Sequence, residues 1–312
     1  MLSIIISTYN RKDSLKDTLD SLKGQQIFGD GDLEVLVVDN NSSDGTADFV
    51  REYSADFFVP LRYVFEQQQG LSYARNRGIQ EARGEILAFT DDDVILDKDW
   101  VSRIFEFCSQ HAFTAMGGRV LPLYPDNTPA WIKQNQDILK GPILCHDYGA
   151  DTRRYDHKMD PFVGANIVIP RATLDEQGLF RTDMGLGAGT LGEDTDYFLR
   201  LRRLNKDIYY CGAVCLRHKA DKARMNLRYF AQWNLKAGRY YALNEPARST
   251  KDLACWVGVP RYLYRRTLCS VGQLIAGLFN RRRFLQAWNR LFINLGMIRG
   301  YRILNKEVGN EK

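Results

Sequence analysis

The sequence predicts an α/β fold: a mostly parallel sheet flanked by helices, followed by a C-terminal helical extension. Three observations carry that reading. Short apolar runs alternate with helix-spaced segments over the first hundred residues. Those runs are apolar at consecutive positions, as strands buried on both faces require. Strand signals stop at Met225, beyond which only helical periodicity remains.

The elements follow in order. Leu2 to Ser7 is a β-rich run ending in Thr8-Tyr9-Asn10, and Ser14 to Lys23 places Leu15, Leu19 and Leu22 at helical spacing. Leu33 to Val38 is a second strand, closed by Asp39-Asn40-Asn41-Ser42-Ser43-Asp44-Gly45. Asp44 or Ser43 is placed to cap a helix from Thr46 to Tyr53. Leu61 to Glu66 reads as a strand, Tyr73 to Ala82 as a helix, and Glu85 to Thr90 as a fourth strand, which runs into Asp91-Asp92-Asp93. A helix around Trp100 to Cys108 comes next, then strands at Met116 to Leu123 and Ala165 to Pro170. Met184 to Gly192 is glycine-rich and leads into a helix from Glu193 through Arg203. Ile208 to Leu216 is the last strand and closes at Arg217-His218. In the tail, Leu268, Val271, Leu274, Ile275 and Leu278 form one helical stripe. A second stripe, of Phe284, Trp288, Leu291, Phe292, Leu295 and Ile298, follows Arg281-Arg282-Arg283.

Composition narrows the function. The 312 residues are 45% hydrophobic and 26% charged, enough for a sizeable core and unlike a disordered chain. The net charge of +5 is unevenly placed: residues 1–216 hold 23 Lys and Arg against 33 Asp and Glu, while residues 217–312 hold 20 against 5. An acidic body suits cation-dependent chemistry, and a basic tail suits a phosphate-bearing surface. Six cysteines without Cys-x-x-Cys spacing give neither a zinc pattern nor a disulfide scaffold, so reduced thiols in a cytosolic protein are expected. Ile4-Ile5-Ile6 is too short for a signal-peptide core, and no run reaches the roughly 18 apolar residues of a spanning helix.

Parallel sheets bind ligands beyond the carboxyl ends of their strands. Thr8-Tyr9-Asn10, Asp39-Asn40-Asn41 and Asp91-Asp92-Asp93 all fall at that edge, which predicts one shared site. Three adjacent carboxylates repel one another unless a cation sits among them, and a hard divalent ion such as Mn²⁺ or Mg²⁺ holding a diphosphate would answer that need. The plainer alternative is a solvated acidic turn before a helix, joined by Asp99.

Five motifs stand in order: Ile4-Ile5-Ile6-Ser7-Thr8-Tyr9-Asn10-Arg11; Val37 to Thr46; Gly70-Leu71-Ser72-Tyr73-Ala74-Arg75-Asn76-Arg77-Gly78 with the Asp triplet; Val163-Gly164-Ala165-Asn166; and Gly192-Glu193-Asp194-Thr195-Asp196-Tyr197. Together they closely resemble the nucleotide-sugar-binding and catalytic half of family 2 glycosyltransferases, over about residues 1–220. The resemblance implies the GT-A fold, a Rossmann-like sheet, with residues 221–312 as a basic amphipathic extension. It implies that Thr8 and Asp39 contact the nucleobase, with Tyr9 and Asn10 beside them in the donor site. Arg75 would lie near the base or diphosphate, Asp91 would face the ribose or the metal, and Asp93 would hold the metal. Asp92 occupies the variable middle position and would support its neighbours. A histidine at the place of His218 can complete the metal shell in that family; a lone histidine is otherwise structural or exposed. His111, His146 and His157 stand in no motif.

Inverting transfer needs a carboxylate that takes the acceptor hydroxyl proton, and Asp194 is the candidate, with Glu193 tuning or orienting it. Both acids also suit the first turn of a helix without any catalytic role. The glycine-rich lead-in is expected to act as a lid over the donor. The expected reaction moves a sugar from a nucleotide-sugar, UDP-sugar favoured, to a glycan or lipid-linked acceptor in envelope or exopolysaccharide synthesis.

The tail reads as a helix lying on an anionic membrane, at the inner face of the cell membrane, or as one packed on the catalytic domain. No recognition module supports nucleic acid as a partner. A sugar-phosphate nucleotidyltransferase would need a glycine-rich, basic loop after the first strand, where Thr8-Tyr9-Asn10-Arg11 stands. A non-catalytic sugar-nucleotide binder would not need Asp194.

Overall fold

A computed structural model describes residues 1–26, 32–156, 158–184, 192–204, 206–244 and 254–310. His157 and most of the predicted glycine-rich lid, residues 185–191, lie outside the described residues. The described residues form two compact units. One draws on Met1–Leu123, His146–Gly189 and Glu193–Lys219; the other draws on Tyr124–Cys145, Thr190–Gly192 and Ala220–Lys312.

In the first unit the chain opens with β1 (Leu2–Thr8), α1 (Lys12–Lys23), β2 (Leu33–Asp39), α2 (Thr46–Ser54), β3 (Leu61–Phe65) and α3 (Leu71–Glu81). It continues with β4 (Ile86–Asp91), β5 (Val94–Leu96), α4 (Trp100–Gln110) and β6 (Ala115–Leu123). After the single turn α5 (Ala130–Lys133), which belongs to the second unit, come β7 (Thr152–Arg154), β8 (Asn166–Pro170), α6 (Arg171–Gln177), α7 (Glu193–Arg203) and β9 (Ile208–Lys219).

These strands make one nine-stranded sheet in the order β3-β2-β1-β4-β8-β6-β9-β5, with β7 also on β9. The four strands from β3 to β4 are parallel, as their unbroken apolar runs predict. Beyond β4 the sheet is mixed: β8 is antiparallel to both β4 and β6, β6 and β9 are parallel, and β5 is antiparallel to β9.

All seven residues of β1 and of β2 are buried because the sheet has a core on each face. Leu2, Ile4, Ile6, Val35 and Val37 point to one face, where Leu15 and Leu19 of α1, Val50 of α2 and Ile104 of α4 pack. Ile5, Leu36 and Val38 point to the other, against Ala74 and Ile79 of α3 and Tyr197, Phe198 and Leu201 of α7. The strand period of two thus sorts one apolar run into two cores.

Two local expectations are refined. The N-cap of α2 is Gly45, at φ 83°, while the Asp44 carboxylate accepts the amides of Thr46 (3.2 Å) and Lys12 (2.9 Å) and so ties two helix starts together. The Asp triplet does not run straight into a helix: Asp91 ends β4, Asp92 and Asp93 turn, and the short strand β5 intervenes before α4. Three residues carry too little periodicity for β5 to be read from sequence.

The second unit is mainly helical: α8 (Leu227–Asn244), the hairpin β10 (Cys255–Trp256) and β11 (Val259–Pro260), α9 (Arg261–Ala276) and α10 (Arg281–Asn310). Leu285, Ala287, Met297 and Ile298 of α10 are buried, and α10 packs along α8. The two backbones meet at glycines: a Cβ on Gly296 would stand 2.3 Å from the Leu235 carbonyl oxygen, so no larger residue fits without separating the helices. Most of the stripe predicted over Phe284 to Ile298 is therefore half-buried or buried inside this unit. Arg282, from the predicted basic triplet, pairs with Asp137 at 3.0 Å (Nη1 to Oδ1).

Candidate active site

Register in the sheet brings the predicted residues together. Thr8 at the end of β1 lies opposite Asp39 at the end of β2, and Ser7 lies opposite Asp91 at the end of β4. Three adjacent parallel strands therefore deliver their polar ends to one edge. His218 arrives from the far end of the chain because β9 runs antiparallel to β5, with His218 opposite Val94 and the Lys219 amide donating to the Asp93 carbonyl at 2.8 Å.

The centre of the site is a buried set of acids threaded by cations. His218 Nε2 lies 2.9 Å from Asp93 Oδ1 and 3.9 Å from Asp91 Oδ2. Arg75, on α3 and only 3% exposed, places Nη1 2.7 Å from Glu193 Oε1 and Nη2 3.5 Å from Asp91 Oδ1. Gly164 makes room for that guanidinium: a Cβ there would stand 2.2 Å from Arg75 Nη2. The Gly164 amide donates to Asp194 Oδ2 at 2.8 Å and the Thr195 amide to Oδ1 at 2.7 Å, so the half-buried Asp194 carboxylate is oriented from two sides.

Burial and mutual repulsion set the electrostatics. Burial pushes Asp91 upward despite Arg75, and burial with the neighbouring Asp93 charge pushes Asp92 up to about 6. Asp93 goes the other way: burial acts to raise it, but His218 and Arg11 outweigh that and hold it below the usual carboxylate range. Burial, then the Asp194 charge, raises Glu193 even with Arg75 beside it. Carboxylates taken from water at a cost of several kcal/mol each ask for a further positive charge among them.

Asp91, Asp93 and His218 can hold a cation that brings it. One ligand atom from each lies within 4.8 Å of the others. Asp93 Oδ1 is buried and faces His218 Nε2 at 2.9 Å. Two carboxylate oxygens and one imidazole nitrogen suit Mn²⁺ and related divalent ions. The residues present fit a metal.

The remaining predicted residues sit around this centre. Thr8 is buried and its hydroxyl donates to Asp92 Oδ2 at 2.7 Å, so its side chain braces the triplet. Asp39, 1% exposed, accepts from the Ser42 amide (2.9 Å) and the Tyr63 hydroxyl (2.8 Å), which closes the turn after β2. Asn10, at φ 51°, accepts from the Ser43 amide at 2.8 Å and joins the first and second strand ends; Tyr9 beside it is 49% exposed.

Two residues escaped the sequence reading. Arg11 places Nη1 2.6 Å from Asp93 Oδ2 and 3.3 Å from Asp92 Oδ1. Its place in the first motif was the available signal, but nothing local shows that it reaches across the sheet edge. Tyr63 is a β3 residue whose partner is known only once β3 is paired with β2.

The family profile described as "Glycosyl transferase family 2" matches residues 3–175, more than half of the chain. The chain belongs to glycosyltransferase family 2. Among its curated relatives in the family, the succinoglycan biosynthesis protein ExoM of Rhizobium meliloti (strain 1021) is 24% identical over 239 residues, covering 76% of this chain and 73% of ExoM. Glycosyltransferase AglE of Haloferax volcanii is 34% identical over 129 residues, 41% of this chain and 42% of AglE. The uncharacterized Bacillus subtilis glycosyltransferase YfnE is 40% identical over 102 residues, and the match spans 32% of this chain and 25% of YfnE. The chain thus spans less than half the length of several relatives it matches. Among solved structures, the mannosyltransferase PcManGT of Pyrobaculum calidifontis, in complex with GDP-Man and Mn²⁺, aligns with a TM-score of 0.61 at 18% identity, over 98% of this chain and 87% of that one. S. aureus TarS 1-349 aligns with a TM-score of 0.54 at 17% identity, over 100% of this chain and 92% of that one. The fold of this family 2 chain is GT-A-like, with C-terminal helices.

Proposed function

We propose that this chain is an inverting glycosyltransferase that moves a sugar from a nucleotide-sugar to a hydroxyl of a glycan or lipid-linked acceptor. The observation that carries the reading is the convergence of Asp91, Asp93 and His218 within 4.8 Å at the carboxyl edge of the sheet. Arg75, Glu193 and Asp194 stand beside that group. Residues 1–220 are the catalytic portion in this reading, and residues 221–312 a basic extension at a membrane surface.

Asp91, Asp93 and His218 would hold Mn²⁺ or Mg²⁺. When bound, the ion would neutralise the nucleoside diphosphate and stabilise it as a leaving group. Arg75, fixed by Glu193, adds a permanent positive charge beside Asp91. Asp39, Tyr9 and Asn10 line the adjoining strand ends where the base and ribose would lie, and Thr8 braces the triplet through Asp92. Asp194, held by the Gly164 and Thr195 amides, keeps lone pairs free to accept a proton. The acceptor oxygen bonds to the anomeric carbon as the bond from that carbon to the diphosphate breaks; its proton passes to Asp194 and the electron pair leaves with the diphosphate. One displacement inverts the anomeric centre.

ExoM acts in succinoglycan biosynthesis, which supports an envelope or exopolysaccharide product. UDP-sugars are the favoured donors, and TarS has been solved with UDP; PcManGT with GDP-Man keeps GDP-sugars in the comparison. A donor-hydrolysis screen over UDP-, GDP- and dTDP-sugars, with Mn²⁺, Mg²⁺ or chelator, tests the proposal. One donor class should be consumed only with metal present. Hydrolysis of none, together with no nucleotide binding by calorimetry, would overturn it.

A further inference from the structure

The second unit exposes a continuous apolar ridge that nothing in the catalytic reading uses. Leu268 is 73% exposed, Val271 42%, Ile275 65%, Leu278 65% and Phe279 101%. At 100° per residue, Leu268, Val271 and Ile275 share one face of α9, and the turn after the helix continues it with Leu278 and Phe279. The adjoining face is the packed one: Leu263 and Ser270 are buried and Thr267 and Leu274 half-buried, and α9 packs against α10. At the other end of α9, Trp256 and Val257 form the tip of the β10–β11 hairpin, 63% and 74% exposed. The Trp256 ring stands 5.3 Å from that of Tyr264, whose position on α9 falls on the same face as Leu268. The ridge therefore runs from the hairpin tip along all sixteen residues of α9 to Phe279, a span of about 24 Å for the helix alone.

The sequence that carries it is strongly cationic. From Ala254 to Lys306 the sequence has no Asp or Glu, yet holds nine arginines and one lysine. Arg261, Arg265, Arg281 and Arg283 are exposed beside or at the ends of the ridge. Of the arginine triplet, Arg282 is paired to Asp137.

We propose that this ridge docks the protein in the plane of an anionic lipid bilayer, with α9 and the hairpin tip, not the stripe of α10, inserted among the acyl chains. The inference deepens the membrane reading of the extension and rests on it. An apolar helix face, aromatic side chains at its ends and flanking arginines make up the composition of an interfacial helix. Anionic headgroups complement the arginines, whereas a second copy of the same face would bring like charges together.

Flotation of the full chain with phosphatidylcholine vesicles, with and without phosphatidylglycerol, tests it. Wild type should partition onto the phosphatidylglycerol vesicles with a blue shift of tryptophan emission, and much less onto neutral ones. Leu268→Glu/Ile275→Glu and, separately, Phe279→Glu should each lower partitioning at least tenfold. Arg281→Glu/Arg283→Glu should do so in a salt-sensitive manner. A paired change on the α10 stripe, Leu291→Gln/Leu295→Gln, should have a much smaller effect in any variant that keeps the wild-type circular dichroism. Unchanged partitioning of a folded Leu268→Glu/Ile275→Glu variant, or wild type that stays off vesicles yet forms a dimer dissociated by Ile275→Glu, overturns the proposal. Metal-dependent donor binding, followed by calorimetry in each variant, separates this outcome from failure of the catalytic reading, because none of these residues is in the site.

Discussion

The two units break the usual partition between core and surface in opposite directions. The first gathers acids, arginine and histidine in a buried cluster: Arg75, Asp92, Asp93, Glu193 and His218 are all at most 9% exposed. The second leaves Leu268, Ile275, Leu278 and Phe279 in contact with water, each at least 65% exposed. Each departure costs stability in the isolated chain, the first through desolvated charge and the second through apolar surface left in water. Both make sense if a component absent from the chain completes the structure: a cation and diphosphate in the first case, and a lipid surface in the second.

Asp194→Asn should give the largest effect, a loss of about 10²–10⁴-fold in turnover in single-turnover assays with donor affinity retained. A fully active variant removes Asp194 from the role of base. Asp93→Ala should abolish metal-dependent UDP binding by calorimetry, because it deletes one ligand and leaves Asp91 and His218 too few. Equal binding with and without metal would show that the cluster is not a metal site. Gly296→Ala should destabilise the chain by about 1–3 kcal/mol in denaturant unfolding, since its Cβ meets backbone that cannot move aside. At the small end, Leu268→Gln should change stability by no more than about 0.5 kcal/mol despite replacing a leucine. A cost like that of a core leucine, about 2–5 kcal/mol, would mean the ridge is covered within the chain itself.

Much of the first unit was legible beforehand. Seven strands and five of the helices of residues 1–220 follow from apolar runs and helical spacing, because burial on both faces of a parallel sheet leaves no polar interruption; the short α5 and α6 were not read. The shared site was legible for a related reason: in this architecture the strand ends face one edge, so polar clusters after β1, β2 and β4 must converge. What stayed hidden depended on pairings across long stretches of chain. Arg11 reaches Asp93, and Tyr63 reaches Asp39, only through strand register. The solvated-turn alternative for the triplet also gave way here, since the register that brings His218 opposite β5 buries Asp92 and Asp93.

In the tail the sequence showed two apolar helical stripes and a basic surplus but could not rank them. Periodicity records that a face is apolar, and is silent on whether protein or solvent covers it. The sequence was enough for seven of the nine strands, the acidic edge and the amphipathic helices of the tail, because those follow from local spacing and side-chain chemistry. Tertiary structure alone decided which carboxylates share a cation-sized space and which stripe is left bare. Both depend on distances between segments far apart in the chain, set by strand register in one unit and by close glycine-mediated helix packing in the other.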